Sequence, residues 1–172
     1  MGVFIAAVRG LSRACGVIAV GLLMAAVLVV CEMVVMRYFL RASTVWQTEF
    51  VTFSLIAATF IGTPYVALLR GHVNVDLVPL YLGQRGRLVL AYIAAAAGLV
   101  FALVMLWTTA ALWWEAWRGG WRTDTVWALP LWIPYLPMPL GFAILALQFI
   151  ADIAALAMGR ELPFGLRPED RP

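Results

Sequence analysis

A chain of 172 residues that is 65% hydrophobic and 12% charged departs from soluble domains, which are about 45–50% apolar and about 25% charged. In water such a composition would expose large apolar surface, whereas in lipid that surface needs no cover, and the length leaves no room for a sizeable soluble domain beside several spans. The net charge of +3 comes from arginines clustered between apolar runs, a pattern of topology signals rather than a nucleic-acid footprint.

Arg9 and Arg13 precede a stretch that is uncharged from Ala14 to Cys31 and continues past Glu32 to Met36. It is longer than the 7–15 residues of a signal-peptide core, and no A-x-A-like site follows. The stretch therefore reads as a retained first span, 14–36, after a cytoplasmic N-tail, 1–13. Leu28-Val29-Val30 lacks the small residue expected before a lipidated cysteine. Cys15 and Cys31 would lie about 24 Å apart along this helix, too far to bridge, and read as apolar fillers.

Span two, 46–69, opens on Trp46 and Glu49 and contains Gly62 and Pro64. The proline predicts a kink or an early end to the regular helix. Span three, 87–117, has no charge between Arg87 and Glu115 and must tilt or project from the hydrocarbon core. Pro130, Pro134, Pro137 and Pro139 crowd the approach to span four. Proline is tolerated only in a first helical turn, so span four should run 137–158, with Trp127–Leu136 as an extended or broken entry. Gly16, Gly21 and Gly62 are read as sites of close helix approach. The tail, 159–172, mixes charge with proline and is expected to be cytoplasmic and disordered. The fold class is thus all-α, with four transmembrane helices because lipid leaves no backbone amide unpaired.

Four spans place Arg9, Arg13, Arg70, Arg85, Arg87, Arg160, Arg167 and Arg171 on the side of the termini. Arg37, Arg41, Arg118 and Arg122 fall on the other, which predicts cytoplasmic termini. Every tryptophan then belongs to the opposite half, either as a belt toward membrane lipid or as a surface for a partner.

Sites of chemistry are sparse. His72 is the single histidine and sits in a loop, away from the depth at which a haem would be held. There is no C-x-x-C pair and no spacing suited to zinc. Neither a cofactor nor a metal is expected, nor is enzyme activity. Glu32, Glu49 and Asp152 lie near span ends. Glu32 and Glu49 are within plausible reach of Arg37 or Arg41, and all three read as interfacial carboxylates paired with arginine or water, with a contact to another subunit or a proton- or ion-coupling role as the alternatives.

The loop from Leu69 to Gly83 is neither a random polar loop nor long enough to span. Gly71 can end the preceding helix, and Asp76 can cap a short amphipathic helix presenting Val75, Val78, Leu80 and Leu82 to the interface.

The stretch Arg70-Gly71-His72-Val73-Asn74-Val75-Asp76 resembles the R-x-G-H-[IV]-x-V-D signature of the DctQ-like family, the small permease subunits of tripartite ATP-independent periplasmic (TRAP) transporters. The spacer after Arg70 is missing here. Trp46 and Glu49 resemble the family's aromatic-plus-acidic start of span two, and Gly62 its small residue late in that span. Leu129-Pro130-Leu131-Trp132-Ile133-Pro134-Tyr135, with Pro139-Leu140-Gly141-Phe142, resembles its proline-rich entry to span four. The resemblance implies a four-helix subunit of the bacterial inner membrane with cytoplasmic termini. It implies two partners: a large permease subunit holding the substrate and sodium sites, and a periplasmic substrate-binding protein that delivers an organic anion of carboxylate type. This chain would then be a non-catalytic scaffold for sodium-coupled import. The competing readings are an anchor subunit of a membrane oxidoreductase and a stand-alone small transporter.

Overall fold

The computed structural model of the protein describes residues 2–69 and 84–158. It is all-α: α1 spans Gly2–Phe39, α2 Val45–Leu68, α3 Gln84–Gly119, α4 Trp132–Tyr135 and α5 Pro137–Ala157. Among the described residues four segments are long and apolar enough to cross a membrane, the last of them, Trp132–Ala157, taking in both α4 and α5. The expected interfacial helix, the motif residues Arg70, Gly71, His72, Val75 and Asp76, and the tail 159–172 lie outside the described residues.

Helix α1 begins at Gly2, well before Ala14, so residues 2–13 are helical and continuous with the first span. The cause is a seam of inward residues, Ile5, Val8, Ser12, Cys15, Ala19 and Ala26, at the three–four spacing of a helix that packs along a narrow stripe. Ile5 and Val8 close an apolar cluster with Ala151 and Ala155 near the end of α5. Arg9 and Arg13 interrupt the hydropathy without interrupting this seam, because they fall beside it, Arg9 half-buried and Arg13 exposed.

Helix α5 is the organising element, packing on α3, α2 and α1, while α1 packs on α2. Helix α2 continues through Pro64 to Leu68, so the early end expected there does not occur. Proline has no N–H to offer the carbonyl four residues back, here that of Phe60. Gly141 of α5 lies against that carbonyl, where an added Cβ would collide with backbone. A Cα–H···O contact suits this approach. Around it Phe142 meets Phe60 and Phe101 edge-on, with centroids at 5.5 and 6.2 Å, and Ala67, Ala102, Leu145 and Ala146 fill the remaining core.

Other crossings use the same small-against-large fit. Gly16 receives the Tyr65 ring, which would stand 2.5 Å from an added Cβ. Gly98 receives Phe149, and Gly62 faces Ala19. Gly21 departs from the close-approach expectation: nothing lies within 4 Å of its added Cβ. It falls on the opposite face of α1 from the seam.

Several polar groups inside the apolar layer are satisfied within the chain. Thr52, Thr59 and Thr63 each return their hydroxyl to the carbonyl four residues earlier, which removes the need for an outside partner. Ser12 donates to Gln148 Oε1 at 2.9 Å, and Gln148 Nε2 donates to Asp152 Oδ1 at 2.9 Å. Ser12 and Gln148 are fully buried, so this chain pins the rotation of α1 against α5.

Gly141→Ala should lower stability by about 1–3 kcal/mol or more, as overpacking does. Gly21→Ala should raise it by roughly 0.5–1 kcal/mol by removing glycine's extra chain entropy. Thermal unfolding of both variants in the same detergent checks the pair.

Candidate functional site

The most structured polar region lies at the end of the bundle where α1 meets α2 and the α3–α4 loop folds back. Gly120 turns the chain out of α3 with a positive φ of 59°. Arg122 and Pro130 then form an isolated antiparallel bridge. Thr123 N donates to Leu129 O at 3.0 Å and Leu131 N to Trp121 O at 2.9 Å. A tight turn closes the tip, where Ala128 N donates to Thr125 O at 3.0 Å. Ala128 itself takes a positive φ of 46°, a cost accepted where surrounding bonds fix the backbone.

Glu49, in the first turns of α2, fastens this loop. Thr123 Oγ1 donates to Glu49 Oε2 at 3.1 Å, and Thr125 Oγ1 donates to Glu49 Oε1. Thr123 Oγ1 also accepts from Leu129 N at 3.0 Å. A carboxylate accepting two hydroxyls makes charge-assisted bonds, stronger than neutral ones. The loop is therefore tied to α2 through a side chain as well as to itself through its backbone.

Beside the latch, Arg37 Nη2 donates to Thr44 Oγ1 at 2.8 Å. Gln47 Nε2 donates to Glu32 Oε2 at 3.3 Å. Among the described residues, then, Glu32 and Glu49 take Gln47 and the two threonines rather than Arg37 or Arg41. The folded-back loop brings hydroxyls to Glu49, while Arg37 is engaged at the α1–α2 turn. Arg37, Ser43, Thr44, Thr48, Glu49 and Thr125 line a shallow cavity of about 460 Å³.

Tryptophans brace the same end. Trp113 Nε1 donates to Trp132 O at 3.1 Å, and Trp117 meets Trp132 edge-on with centroids at 4.7 Å. Arg118 stacks over Trp114 at 4.9 Å, a cation–π contact. Trp107 stands 79% exposed on α3.

The residues singled out from the sequence therefore divide. Glu49 reaches the loop that leads through Pro130 to Trp132, while Pro134 is buried just beyond. Pro139 and Gly141 are buried on α5, and Gly62 serves the α1–α2 contact. Trp46 points outward, half-exposed. Thr123, Thr125 and Gln47 belong to the site without having been singled out. Their carboxylate partners carry the signal, but a threonine 74 residues from Glu49 is not recognisable as its mate.

Residues 26–159 match the sequence model of the family described as "Tripartite ATP-independent periplasmic transporters, DctQ component". Among curated proteins, the C4-dicarboxylate TRAP transporter small permease protein DctQ of Vibrio cholerae serotype O1 is similar. It is 25% identical over 142 residues, covering 68% of this chain and 60% of that protein. The chain thus spans less than two thirds of that relative's length. No solved structure matches.

Removing the latch should free the loop before it disturbs the bundle. Glu49→Ala is expected to cost about 1–3 kcal/mol by leaving two hydroxyls without their charged acceptor. Trypsin should then cut after Arg122 faster than in the parent. Equal cleavage rates would show that backbone bonds alone hold the loop.

Proposed function

This chain belongs to the DctQ component family of tripartite ATP-independent periplasmic transporters, and from that premise we propose that it is the small, non-catalytic membrane subunit of a sodium-coupled importer. The family match carries the reading, because it extends from within α1 to beyond α5. The chain is a multi-pass membrane protein; we place it in the bacterial inner membrane with both termini cytoplasmic, following the arginine bias.

In this reading a large permease subunit carries substrate and sodium, and a soluble binding protein delivers the solute from the periplasmic side. This subunit braces the permease. The interlocked core supports such a role. Gly141 on the Phe60 carbonyl, Tyr65 over Gly16 and Phe149 over Gly98 are close fits, and tightly packed interiors resist deformation. The Ser12–Gln148–Asp152 chain adds rotational definition. The solute is an organic anion of carboxylate type. The name of the Vibrio cholerae relative, which specifies C4-dicarboxylates, supports that class. The signature residues Arg70, Gly71, His72, Val75 and Asp76 would sit at the cytoplasmic surface between α2 and α3, in contact with the permease or the headgroups.

Co-expressed with its large permease, the chain should co-purify with it in detergent; recovery of the chain as a lone monomer would sink the reading. Glu49→Gln should reduce complex yield or transport several-fold and leave the ratio of sodium to solute unchanged, as measured by paired isotope fluxes in proteoliposomes. A changed ratio would move this residue from bracing to ion coupling.

A further inference from the structure

We propose that the outward face of α1 around Glu32 receives a membrane-spanning helix of the large permease that carries a lysine or arginine at that depth. The proposal rests on the small-permease reading above and adds to it where the partner docks and by what chemistry.

The first observation is a carboxylate whose donor, among the described residues, is a neutral amide. Glu32 is exposed on α1, flanked by the exposed apolar residues Leu28 and Val35. It lies about 7.5 Å along the helix below Arg37, at 1.5 Å per residue. Arg37 is turned to Thr44. Among the described residues Gln47 is the group that reaches Glu32, at 3.3 Å. Gln47 is 1% exposed, and its Oε1 is buried without a hydrogen-bond partner. One carboxylate and one desolvated carbonyl oxygen therefore stand together, both acceptors. A carboxylate on an apolar face is costly unless it is paired, and an orphaned buried acceptor is rare. A guanidinium or ammonium with several N–H donors would satisfy the exposed carboxylate and its charge.

The second observation is room for a helix. At 3.6 residues per turn, Gly10, Gly21 and Leu28 fall on the face of α1 opposite its buried seam. Added Cβ atoms at Gly10 and Gly21 would meet nothing within 4 Å. Small residues on a lipid-level face let a neighbouring backbone approach closely. Glu32 borders the same strip, so shape and charge are continuous. A second copy of this chain is a poor occupant: a two-fold contact through parallel α1 helices would bring one Glu32 toward another, and like charges repel.

The test uses the full chain co-expressed with its permease. A benzophenone amino acid replaces Val35 in one form and the outward-facing Trp107 of α3 in a second. On illumination, Val35 should yield an adduct of this chain with the permease, and Trp107 much less of it. Glu32→Gln should lower the permease retained in detergent, and Glu32→Lys should lower it by about tenfold or more, as misplaced like charges at an interface do. Size-exclusion profiles and helical circular dichroism of the Glu32→Gln chain expressed alone should match the parent, since glutamine keeps an oxygen acceptor for Gln47 Nε2, and the same measurements on Glu32→Lys separate lost docking from lost fold. An adduct at twice the mass of this chain, an adduct with lipid, or unchanged retention for Glu32→Lys overturns the proposal while co-purification leaves the small-permease reading standing. Failure of the unaltered chain to co-purify overturns both.

Discussion

Pro64 withholds a donor from the Phe60 carbonyl, and the backbone of Gly141 settles against it. This contact sets how near α2 and α5 can come, and so it sets the remaining helices. Helix α1 lies along α2 and reaches α5 near its end, while α3 lies against α5. A side chain at position 141 would force the crossing apart at its centre. In lipid the correction would be difficult, since a freed carbonyl has no water to turn to. The proline and the glycine are thus two halves of one device, on different helices.

The two ends of the bundle are held by different means. Where α1 begins and α5 finishes, Ile5 and Val8 meet Ala151 and Ala155, with the buried Ser12–Gln148–Asp152 chain close by in sequence. At the other end, hydroxyls and indoles do most of the joining. Glu49 holds the α3–α4 loop through two threonines, and Trp113 and Trp117 hold the start of α4. Apolar contacts gain strength from burial, whereas charge-assisted bonds at a partly wet end remain open to exchange. The loop end is therefore the part of the molecule more easily remodelled.

Much of the fold was legible because a membrane helix needs little beyond length and apolarity. Pro137 opens α5, since proline is at home in a first turn, although the entry before it already forms a helical turn at Trp132–Tyr135. Three things were not legible. The helical character of residues 2–13 was hidden by Arg9, Gly10 and Arg13, although the seam through Ile5, Val8 and Ser12 was present at helical spacing. Gly16 and Gly21 read alike as letters, yet their rotation about α1 sends one to Tyr65 and the other outward. The partners of Glu49 and Gln148 are far away along the chain, Thr123 at 74 residues and Ser12 at 136. Such pairings depend on which loops fold back and which helices touch, and no local pattern encodes that.

Helix α1 has 38 residues, about 57 Å at 1.5 Å per residue, against a hydrocarbon layer of about 30 Å. It is gripped near one end by α5 and along most of its length by α2, with no proline to break it. A rod of that kind has no break at which to bend. A push at one of its ends is therefore passed to the contacts it makes with α2 and α5 rather than absorbed within the helix. One continuous helix of that length reaches past the hydrocarbon layer, so the same element contributes to the packing at both ends of the bundle.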